Sequence, residues 1–393
     1  MTFTDLNLIA PLLNSIARQG YSQPTPIQEK AIPHILAGRD ILGCAQTGTG
    51  KTAAFALPIL QLLSNQENIN SKGIKALILA PTRELALQIY QSFEAYGSNM
   101  NLKYALIFGG VSQQGQVNSI RKGANVVIAT PGRLIDLIEQ GHVNLNSVEY
   151  FVLDEADRML DMGFIHDIRS IIADLPVKKQ TIFLSATLSP EIRKLADKLL
   201  HTPVYITIEP VTSTSSLIEQ GIYYVNKENK RALLKYILKD AMIENALVFT
   251  RTKRGADKVV KELNLNQIKA EAIHGNKSQN ARERALKCFR NRTTRVLVAT
   301  DIASRGIDID NLTHVINYEL PEEAATYVHR IGRTGRAGAS GKAVSFCSPD
   351  EVSYLRGITK LLHKDIAEIK GHPFVDTMKP SQKQSNSHKN HDR

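Results

Sequence analysis

The sequence predicts an α/β protein with two units, each a mostly parallel sheet covered by helices on both faces. Short apolar runs rich in β-branched residues alternate with helix-period segments along the chain, which is typical of parallel strands buried on both faces. The 393 residues, of which 42% are hydrophobic, can fill two or three cores. Between residues 209 and 220 this alternation gives way to Pro, Ser and Thr, which indicates a linker.

The predicted strands follow one another in order. In the first half they are the runs ALILAP, NVVIATP, YFVLDEAD and TIFLSAT, and in the second half ALVFT, AEAIHG, RVLVATD, HVINYEL and AVSFCS. Segments between them, such as RELALQIYQSFEAY and GADKVVKELNL, have apolar residues at helical spacing. After Met378 the chain has no aliphatic or aromatic residue, so we predict a disordered basic tail.

Charge is distributed unevenly along the chain. The formal net charge is +11. Residues 1–208 contain 18 Lys and Arg against 17 Asp and Glu, whereas residues 209–393 contain 31 against 21. This asymmetry favours a polyanionic partner of the second half, with a solvated basic surface as the alternative.

Membrane insertion and export are not expected. No apolar stretch reaches the roughly 18 residues that span a bilayer, and the first ten residues lack the basic region of a secretory signal. The three cysteines have no metal-ligand spacing. We therefore predict a cytoplasmic protein without a membrane segment or a disulfide framework.

A phosphate-binding loop is predicted at residues 45–52. The sequence AQTGTGKT follows an apolar run and precedes a helical one, which is the context of a Walker A loop. Backbone N–H groups of such a loop bind phosphate oxygens, its lysine reaches the β and γ phosphates, and its Thr hydroxyl ligates Mg²⁺. A glycine-rich turn that only caps a helix is the alternative. The nucleotide-binding residues are Ala45, Gln46, Thr47, Gly48, Thr49, Gly50, Lys51 and Thr52.

Three carboxylates follow the apolar run YFVL within four residues. Crowded carboxylates at a buried strand end repel one another and need a compensating cation. Asp154 matches the position of an acidic residue that holds Mg²⁺, and Glu155 is placed to deprotonate the attacking water. Asp157 then needs another partner, a hydroxyl or a basic side chain. A helix with an acidic first turn would explain Glu155 and Asp157 but not Asp154.

The DEAD and AQTGTGKT sequences resemble those of the DEAD-box ATP-dependent RNA helicases. Further motifs of that family follow in order between Phe3 and about Phe374: GYSQPTPIQ, PTRELA, GG, TPGR, SAT, VFTRT, QNAR, ATDIASRGID and HRIGRTGR. The chain is most similar to the bacterial RhlE-type subgroup. The resemblance implies two tandem RecA-like domains and an RNA-dependent ATPase. It also implies ATP-driven unwinding or remodelling of short RNA duplexes, coupled to domain closure.

The resemblance also assigns residues to the nucleotide. Gln28 would recognise the adenine edge, Tyr21 would pack on the base, and Phe3 would support that pocket. Arg333 and Arg336 would act as arginine fingers, with a solvated helix start or a structural anion site as the alternative. Asp308 would contact the ribose.

RNA contacts and coupling are likewise implied by the resemblance. The residues expected to contact the RNA backbone are Arg83, Gly110, Thr130, Arg133, Arg282 and Thr300. Such contacts carry little sequence information, and the 2′-hydroxyl separates RNA from DNA. Ser185, Thr187 and His329 are expected to couple hydrolysis to RNA, and the two hydroxyls of SAT would supply the partner of Asp157.

The predicted domains are an adenine-recognition segment at 1–30, a RecA-like domain at 31–208, a linker at 209–216, a second RecA-like domain at 217–374 and a tail at 375–393. We expect a monomer that associates with RNA and with proteins of ribosome assembly or RNA decay. Three other classes are considered: an ATPase acting on protein or small-molecule partners, a DNA translocase, and a non-catalytic RNA-binding protein. The basic second half, the RNA-type motifs and the intact Lys51 and Glu155 argue against them in turn.

Overall fold

The computed structural model describes residues 1–45, 48–64, 73–208, 218–301, 312–335 and 341–374. These residues belong to two compact units, which are treated separately below. The described residues of the first unit are 1–45, 48–64 and 73–208. The second unit contains the described residues from 218 onward. The predicted linker at 209–216 and the tail at 375–393 lie outside the described residues, and the domain boundaries stay predictions.

The first unit contains a parallel sheet of seven strands, in the order β3-β4-β2-β5-β6-β1-β7. Its strands are β1 (Ile41–Cys44), β2 (Ala76–Leu79), β3 (Tyr104–Ile107), β4 (Val126–Ala129), β5 (Tyr150–Leu153), β6 (Gln180–Ser185) and β7 (Val204–Thr207). Its helices are a 3-10 turn at Phe3–Leu6, then α1 (Ala10–Arg18), α2 (Pro26–Leu36), α3 (Lys51–Ser64), α4 (Arg83–Tyr96), α5 (Gln114–Arg121), α6 (Pro131–Glu139), α7 (Ala156–Asp161), α8 (Ile165–Ala173) and α9 (Pro190–Leu199).

Both faces of this sheet are buried, which explains why its strands are continuous apolar runs. Along β2, Ala76 and Ile78 belong to one hydrophobic cluster, and Leu77 and Leu79 belong to another. All four side chains are fully buried. Since successive residues of a strand point to opposite faces, each face must be covered by helices.

The second unit repeats this architecture, with the strand order β10-β11-β9-β12-β13-β8-β14. Its strands are β8 (Ile218–Tyr224), β9 (Ala246–Phe249), β10 (Ala270–Ile273), β11 (Val296–Ala299), β12 (His314–Asn317), β13 (Gly341–Cys347) and β14 (Ala367–Glu368). Its described helices are α10 (Lys230–Ile237), α11 (Lys253–Leu265), α12 (Gln279–Arg290), α13 (Ala324–Ile331) and α14 (Val352–Leu362), with 3-10 turns at Lys227–Asn229 and Pro349–Glu351.

The two sheets have one topology. When the strands of each unit are numbered from its own first strand, both sheets have the order 3-4-2-5-6-1-7. All the strand pairs are parallel. Loops that follow the strands therefore share the carboxyl edge of each sheet, which is where open α/β sheets bind ligands. Among the described helices, none is long and apolar enough to cross a bilayer.

Candidate active site

The loop between β1 and α3 has the geometry of a phosphate cradle. Gly48 and Gly50 have φ of 85° and 89°, values that favour glycine. Lys51 is the first residue of α3 and is only 6% exposed. Its ammonium donates a hydrogen bond to the backbone oxygen of Ala45 at 2.7 Å, which holds the side chain back over the loop. Gln46 and Thr47 lie outside the described residues, and the predicted ligands Thr49 and Thr52 flank Lys51.

Gln28 lies against this loop. Its Oε1 accepts a hydrogen bond from the Thr25 backbone N–H at 3.0 Å, and its Nε2 donates to the Gly50 backbone oxygen at 3.0 Å. A Cβ on Gly50 would lie 2.4 Å from that Nε2, so only glycine allows this approach. The amide keeps one N–H and one lone pair for a ligand such as the adenine edge.

The other two predicted adenine-pocket residues differ in exposure. The Tyr21 ring is 44% exposed, and its hydroxyl lies 3.3 Å from that of Tyr96. Phe3 is 5% exposed and packs in the core of the first unit. The Tyr21 ring therefore has exposed surface, whereas Phe3 is part of the core, and the adenine-pocket roles of both stay predictions.

Asp154 and Glu155 follow β5 and are almost completely buried, at 2% and 5% exposure. The Glu155 backbone N–H donates to Asp154 Oδ1 at 3.0 Å, and Glu155 has a left-handed backbone with φ of 53°. Burial raises the pKa of Asp154 to about 6, an effect that Lys51 opposes and Glu155 reinforces. Such a carboxylate gains its charge readily when a cation approaches.

The donor set suits Mg²⁺ better than a metal held by protein alone. Among the described residues no group of three or more His, Cys, Asp or Glu side chains could hold a metal ion. Mg²⁺ commonly takes one or two protein ligands, and phosphate and water oxygens supply the rest. The buried carboxylate of Asp154 and the hydroxyl of Thr52 match that pattern.

Asp157 contacts the SAT segment after β6. Its Oδ2 accepts hydrogen bonds from the backbone N–H groups of Ala186 and Thr187, at 3.1 and 2.9 Å, and from the Thr187 hydroxyl at 3.0 Å. The expectation that Ser185 also supplies a hydroxyl to Asp157 is wrong. Ser185 is fully buried, and its hydroxyl donates instead to the Thr187 backbone oxygen at 2.7 Å.

Four predicted RNA-binding residues lie on the same edge of the first sheet. Arg83 begins α4 after β2, and its guanidinium packs so closely on Gly110, after β3, that a Cβ there would lie 2.1 Å from it. Thr130 lies at the N-cap position of α6, after β4. Arg133 donates to the backbone oxygen of Val111, beside Gly110, at 3.3 Å. These residues follow the neighbouring strands β3, β4 and β2.

In the second unit Thr300 and Arg282 follow strands that correspond to β4 and β3. Thr300 directly follows β11 and is 6% exposed, and Arg282 lies on α12 after β10. His329 lies on α13 and Arg333 follows it, with an exposure of 7%. Asp308 and Arg336 lie outside the described residues, so their roles stay predictions.

Comparison with known proteins gives the family. Residues 25–195 match the DEAD/DEAH box helicase family, and residues 229–338 match the helicase conserved C-terminal domain. The DEAD-box ATP-dependent RNA helicase CshA of Bacillus subtilis is 41% identical over 384 residues, which are 98% of this chain and 77% of the relative. The chain belongs to the DEAD-box family of ATP-dependent RNA helicases.

Solved DEAD-box helicase structures share the fold. The Saccharomyces cerevisiae protein Dbp5 bound to RNA and ADP BeF3 has a TM-score of 0.83 and 30% identity, with 94% of this chain and 95% of that chain covered. Mss116p bound to ssRNA and AMP-PNP has a TM-score of 0.84 and 30% identity, with 94% and 79% covered. Both RecA-like domains of a DEAD-box helicase are therefore present. Membership of the RhlE-type subgroup stays a prediction.

Sequence reasoning missed Arg158, which follows the DEAD letters. Its guanidinium pairs with the Glu155 carboxylate at 2.5 Å, and both side chains are 7% exposed. The i,i+3 spacing of an acid and a base on one helical turn could have revealed this pair. In this DEAD-box helicase the predicted general base is therefore held by a buried cation.

Two basic residues of the second unit were also missed. Arg330, only 1% exposed, makes a bidentate pair with Asp301 at 2.6 and 2.7 Å, which fixes the residue after Thr300. Lys253 begins α11 after β9, as Arg83 begins α4 after β2. Its ammonium lies 3.6 Å from where a Cβ on Gly275 would be. The repeated strand order identifies Lys253 as the counterpart of Arg83, a relation that single motifs do not reveal.

Proposed function

We propose that this helicase divides the carboxyl edge of its first sheet between ATP and RNA. The residues predicted to bind phosphate and Mg²⁺ follow β1 and β5, the predicted coupling residues Ser185 and Thr187 lie at the end of β6, and the predicted RNA residues of this unit follow β2, β4 and β3. Since β5 pairs directly with β2, the two halves meet at one strand boundary. This juxtaposition carries the proposal, because hydrolysis and RNA binding then share one rigid element.

Each residue has a proposed role in the reaction of ATP with water to give ADP and phosphate. Lys51 stabilises charge on the β and γ phosphates, and Glu155 accepts the proton of the attacking water. Arg158 holds the Glu155 carboxylate in place. Thr52 and Asp154 would hold Mg²⁺, which would supply positive charge against the phosphate oxygens.

Asp157 and Thr187 form the proposed link to RNA. Their hydrogen bonds join the loop after β5 to the loop after β6, so a shift of either loop moves the other. The coupling of hydrolysis to closure of the two domains, with Arg333 and Arg336 as fingers, is part of this proposal and depends on the family motifs. ATP and RNA would then bind cooperatively, since both favour one closed state.

RNA binding is proposed to depend on the sugar-phosphate backbone. Arg83 and Arg133 offer guanidinium groups to phosphates, and Thr130 and Thr300 lie at strand ends where a 2′-hydroxyl can reach them. Little sequence preference is expected. A cytoplasmic location, a monomeric state and partners in ribosome assembly or RNA decay stay predictions from the sequence.

Glu155→Gln tests the central assignment. The amide preserves the size of the side chain but cannot accept the proton, so phosphate release should fall by about 100-fold to 10,000-fold. Affinity for ATP and for single-stranded RNA should stay within about twofold of the wild-type values. Asp174→Asn is the matched control, because Asp174 is exposed and directly follows α8.

Turnover should be measured with single-stranded RNA, duplex RNA and DNA of one sequence. Stimulation by RNA and not by DNA is expected. Undiminished hydrolysis in Glu155→Gln would remove Glu155 from the mechanism, and equal stimulation by DNA would favour a DNA translocase.

A further inference from the structure

The second unit contains a cavity where the first unit has its nucleotide site. The shared strand order makes β8 the counterpart of β1, and it makes β12 and β13 the counterparts of β5 and β6. A cavity of about 240 Å³ opens beside the residues that follow β8, β9, β12 and β13. In both units the helix after the first strand begins with a lysine, Lys51 in α3 and Lys230 in α10.

The two lysines have different partners. The ammonium of Lys230, which is 2% exposed, makes a buried ion pair with Glu351 and a 3.0 Å hydrogen bond to the Tyr318 backbone oxygen. Glu351 is fully buried and lies after β13. An internal carboxylate therefore compensates the lysine of the second unit, which leaves that lysine unsuited to a triphosphate.

Basic side chains remain around the cavity once this pair is set aside. Its charged lining residues are Lys227, Lys230, Arg231, Arg251, Lys258, Glu319, Asp350 and Glu351. Lys227, Arg231 and Lys258 are exposed and, within the described part of the chain, make no ion pair with a carboxylate. These three exposed residues are called the rim of the cavity. Positive charge thus exceeds negative charge at the rim.

The cavity lies next to the RNA-binding residues proposed for the second unit. Phe249 of β9 is in register with Ala299 of β11, so Thr250 and Arg251 follow β9 where Thr300 follows β11. Neighbouring strands are about 4.8 Å apart. A backbone that contacts Thr300 can therefore continue over Arg251 to the rim.

We propose that this cavity is a second phosphate-binding site, which takes backbone phosphates of RNA beyond Thr300. The proposal depends on the RNA path proposed above. Exposed lysines and arginines on a groove give affinity that is independent of sequence and sensitive to salt. A free polyphosphate has the same chemistry and is the second source that the experiment must separate.

The test removes three rim charges from the full chain. The variant Lys227→Gln/Arg231→Gln/Lys258→Gln is compared with a control of equal charge change, Lys239→Gln/Lys269→Gln/Lys364→Gln. The control lysines are exposed and do not line the cavity. Lys239 follows α10 and Lys269 precedes β10, so both lie toward the amino edge of the sheet.

RNA of two lengths separates the rim from the main RNA site. For an oligouridylate of about 20 nucleotides, affinity should fall about tenfold in the rim variant, and the salt slope should fall by about 2, since each phosphate contact on single strands contributes about 0.7. An oligouridylate of about 6 nucleotides fills only the main RNA site, so the rim variant should bind it with the same affinity as the wild-type protein. If wild-type protein fails to bind the short RNA, the proposed function fails. A rim variant that binds RNA as the control does overturns only the assignment of the second site to RNA.

Tripolyphosphate distinguishes a free polyphosphate from RNA as the ligand of the cavity. It is titrated into Lys51→Ala protein, in which the first phosphate site is disabled, with and without the three rim substitutions. Binding that the rim substitutions abolish, without any effect on long RNA, would support the phosphate site and assign it to a free polyphosphate. Loss of long-RNA affinity without tripolyphosphate binding would assign it to RNA. No effect on either ligand contradicts the proposal.

Discussion

The two domains place a lysine at one topological position and use it in opposite ways. In the first domain the Lys51 ammonium donates a hydrogen bond to the Ala45 backbone oxygen of its own loop, a neutral acceptor that a phosphate oxygen can replace. In the second domain Lys230 is neutralised by the buried carboxylate of Glu351. One fold therefore gives a ligand site or a structural core, according to whether the chain supplies its own anion.

The largest expected effect is on catalysis in the first domain. Lys51→Ala should lower the ATPase kcat/KM by about 100-fold to 1000-fold, as does the loss of one preorganised charge donor. Nucleotide affinity should also fall, as measured with a fluorescent ATP analogue. Lys230→Ala should not weaken nucleotide binding at temperatures where the protein stays folded. Normal affinity in Lys51→Ala would remove the cradle assignment.

The second effect is on stability. Here the lysine of the second domain, rather than that of the first, is expected to matter more. Lys230→Met should destabilise the second domain by about 3–5 kcal/mol, because Glu351 stays buried without its cation. Lys235→Met is the control, since its pair with Glu262 is partly exposed and worth only about 0–1 kcal/mol. Urea unfolding measures both. Equal losses in the two variants would mean that the buried pair is no more important than a surface pair.

The third effect compares two glycines in corresponding loops. Gly110→Ala would force a left-handed residue and displace the Arg83 guanidinium, so RNA affinity should fall about tenfold, which is about 1.4 kcal/mol. Gly275→Ala would place its Cβ at an ordinary 3.6 Å from Lys253 and should change affinity by less than about twofold. Fluorescence anisotropy with labelled RNA measures both. A larger loss for Gly275→Ala would show that the second loop grips RNA more tightly.

The smallest effect is the pH dependence of stability without nucleotide. The pKa of Asp154 is raised to about 6, chiefly by burial. The native state therefore binds this proton at a higher pH than the unfolded state does, and the free energy of unfolding should rise as pH falls from about 6 towards 4. Burial lowers the pKa of His314 in the second domain. The unfolded state binds that proton first, and stability should fall as pH decreases through about 6.5.

Asp154→Asn and His314→Gln separate these opposing contributions. Asp154→Asn should remove the gain at acid pH, and His314→Gln should remove the loss. Thermal unfolding midpoints between about pH 4 and 7 measure both. A pH profile unchanged by either substitution would contradict the assigned directions.

Much of the fold could be predicted from local patterns. All nine apolar runs form strands, and the fold class is confirmed, because buried parallel strands require continuous apolar sequence. β8 was missed because its sequence IEQGIYY mixes polar residues with apolar ones. It begins at Ile218, inside the stretch whose composition suggested a linker. The two residues of β14 carry no periodic signal.

The position of a candidate site residue could be predicted where the residue belongs to a short local motif. Lys51, Asp154 and Glu155 come together after β1 and β5 as the motifs imply. Contacts between distant segments could not be predicted from local motifs. Glu351 and Lys230 are 121 residues apart, and only the folded sheet brings them together. The error for Ser185 has the same origin, because a motif fixes the side chain but not the direction of its hydroxyl.

Sheet order also dictates when the phosphate loop can be assembled during synthesis. Among the described strands β1 pairs only with β6 and β7, so the strand that carries the loop has no neighbour until about residue 185 has left the ribosome. Because synthesis adds about 5–20 residues per second, several seconds pass between the synthesis of β1 and that of the strands with which it pairs. The same delay recurs for β8, whose neighbours are β13 and β14. A nascent chain should therefore acquire ATP affinity late and abruptly, and a chaperone that shields the early apolar segments would act in that interval.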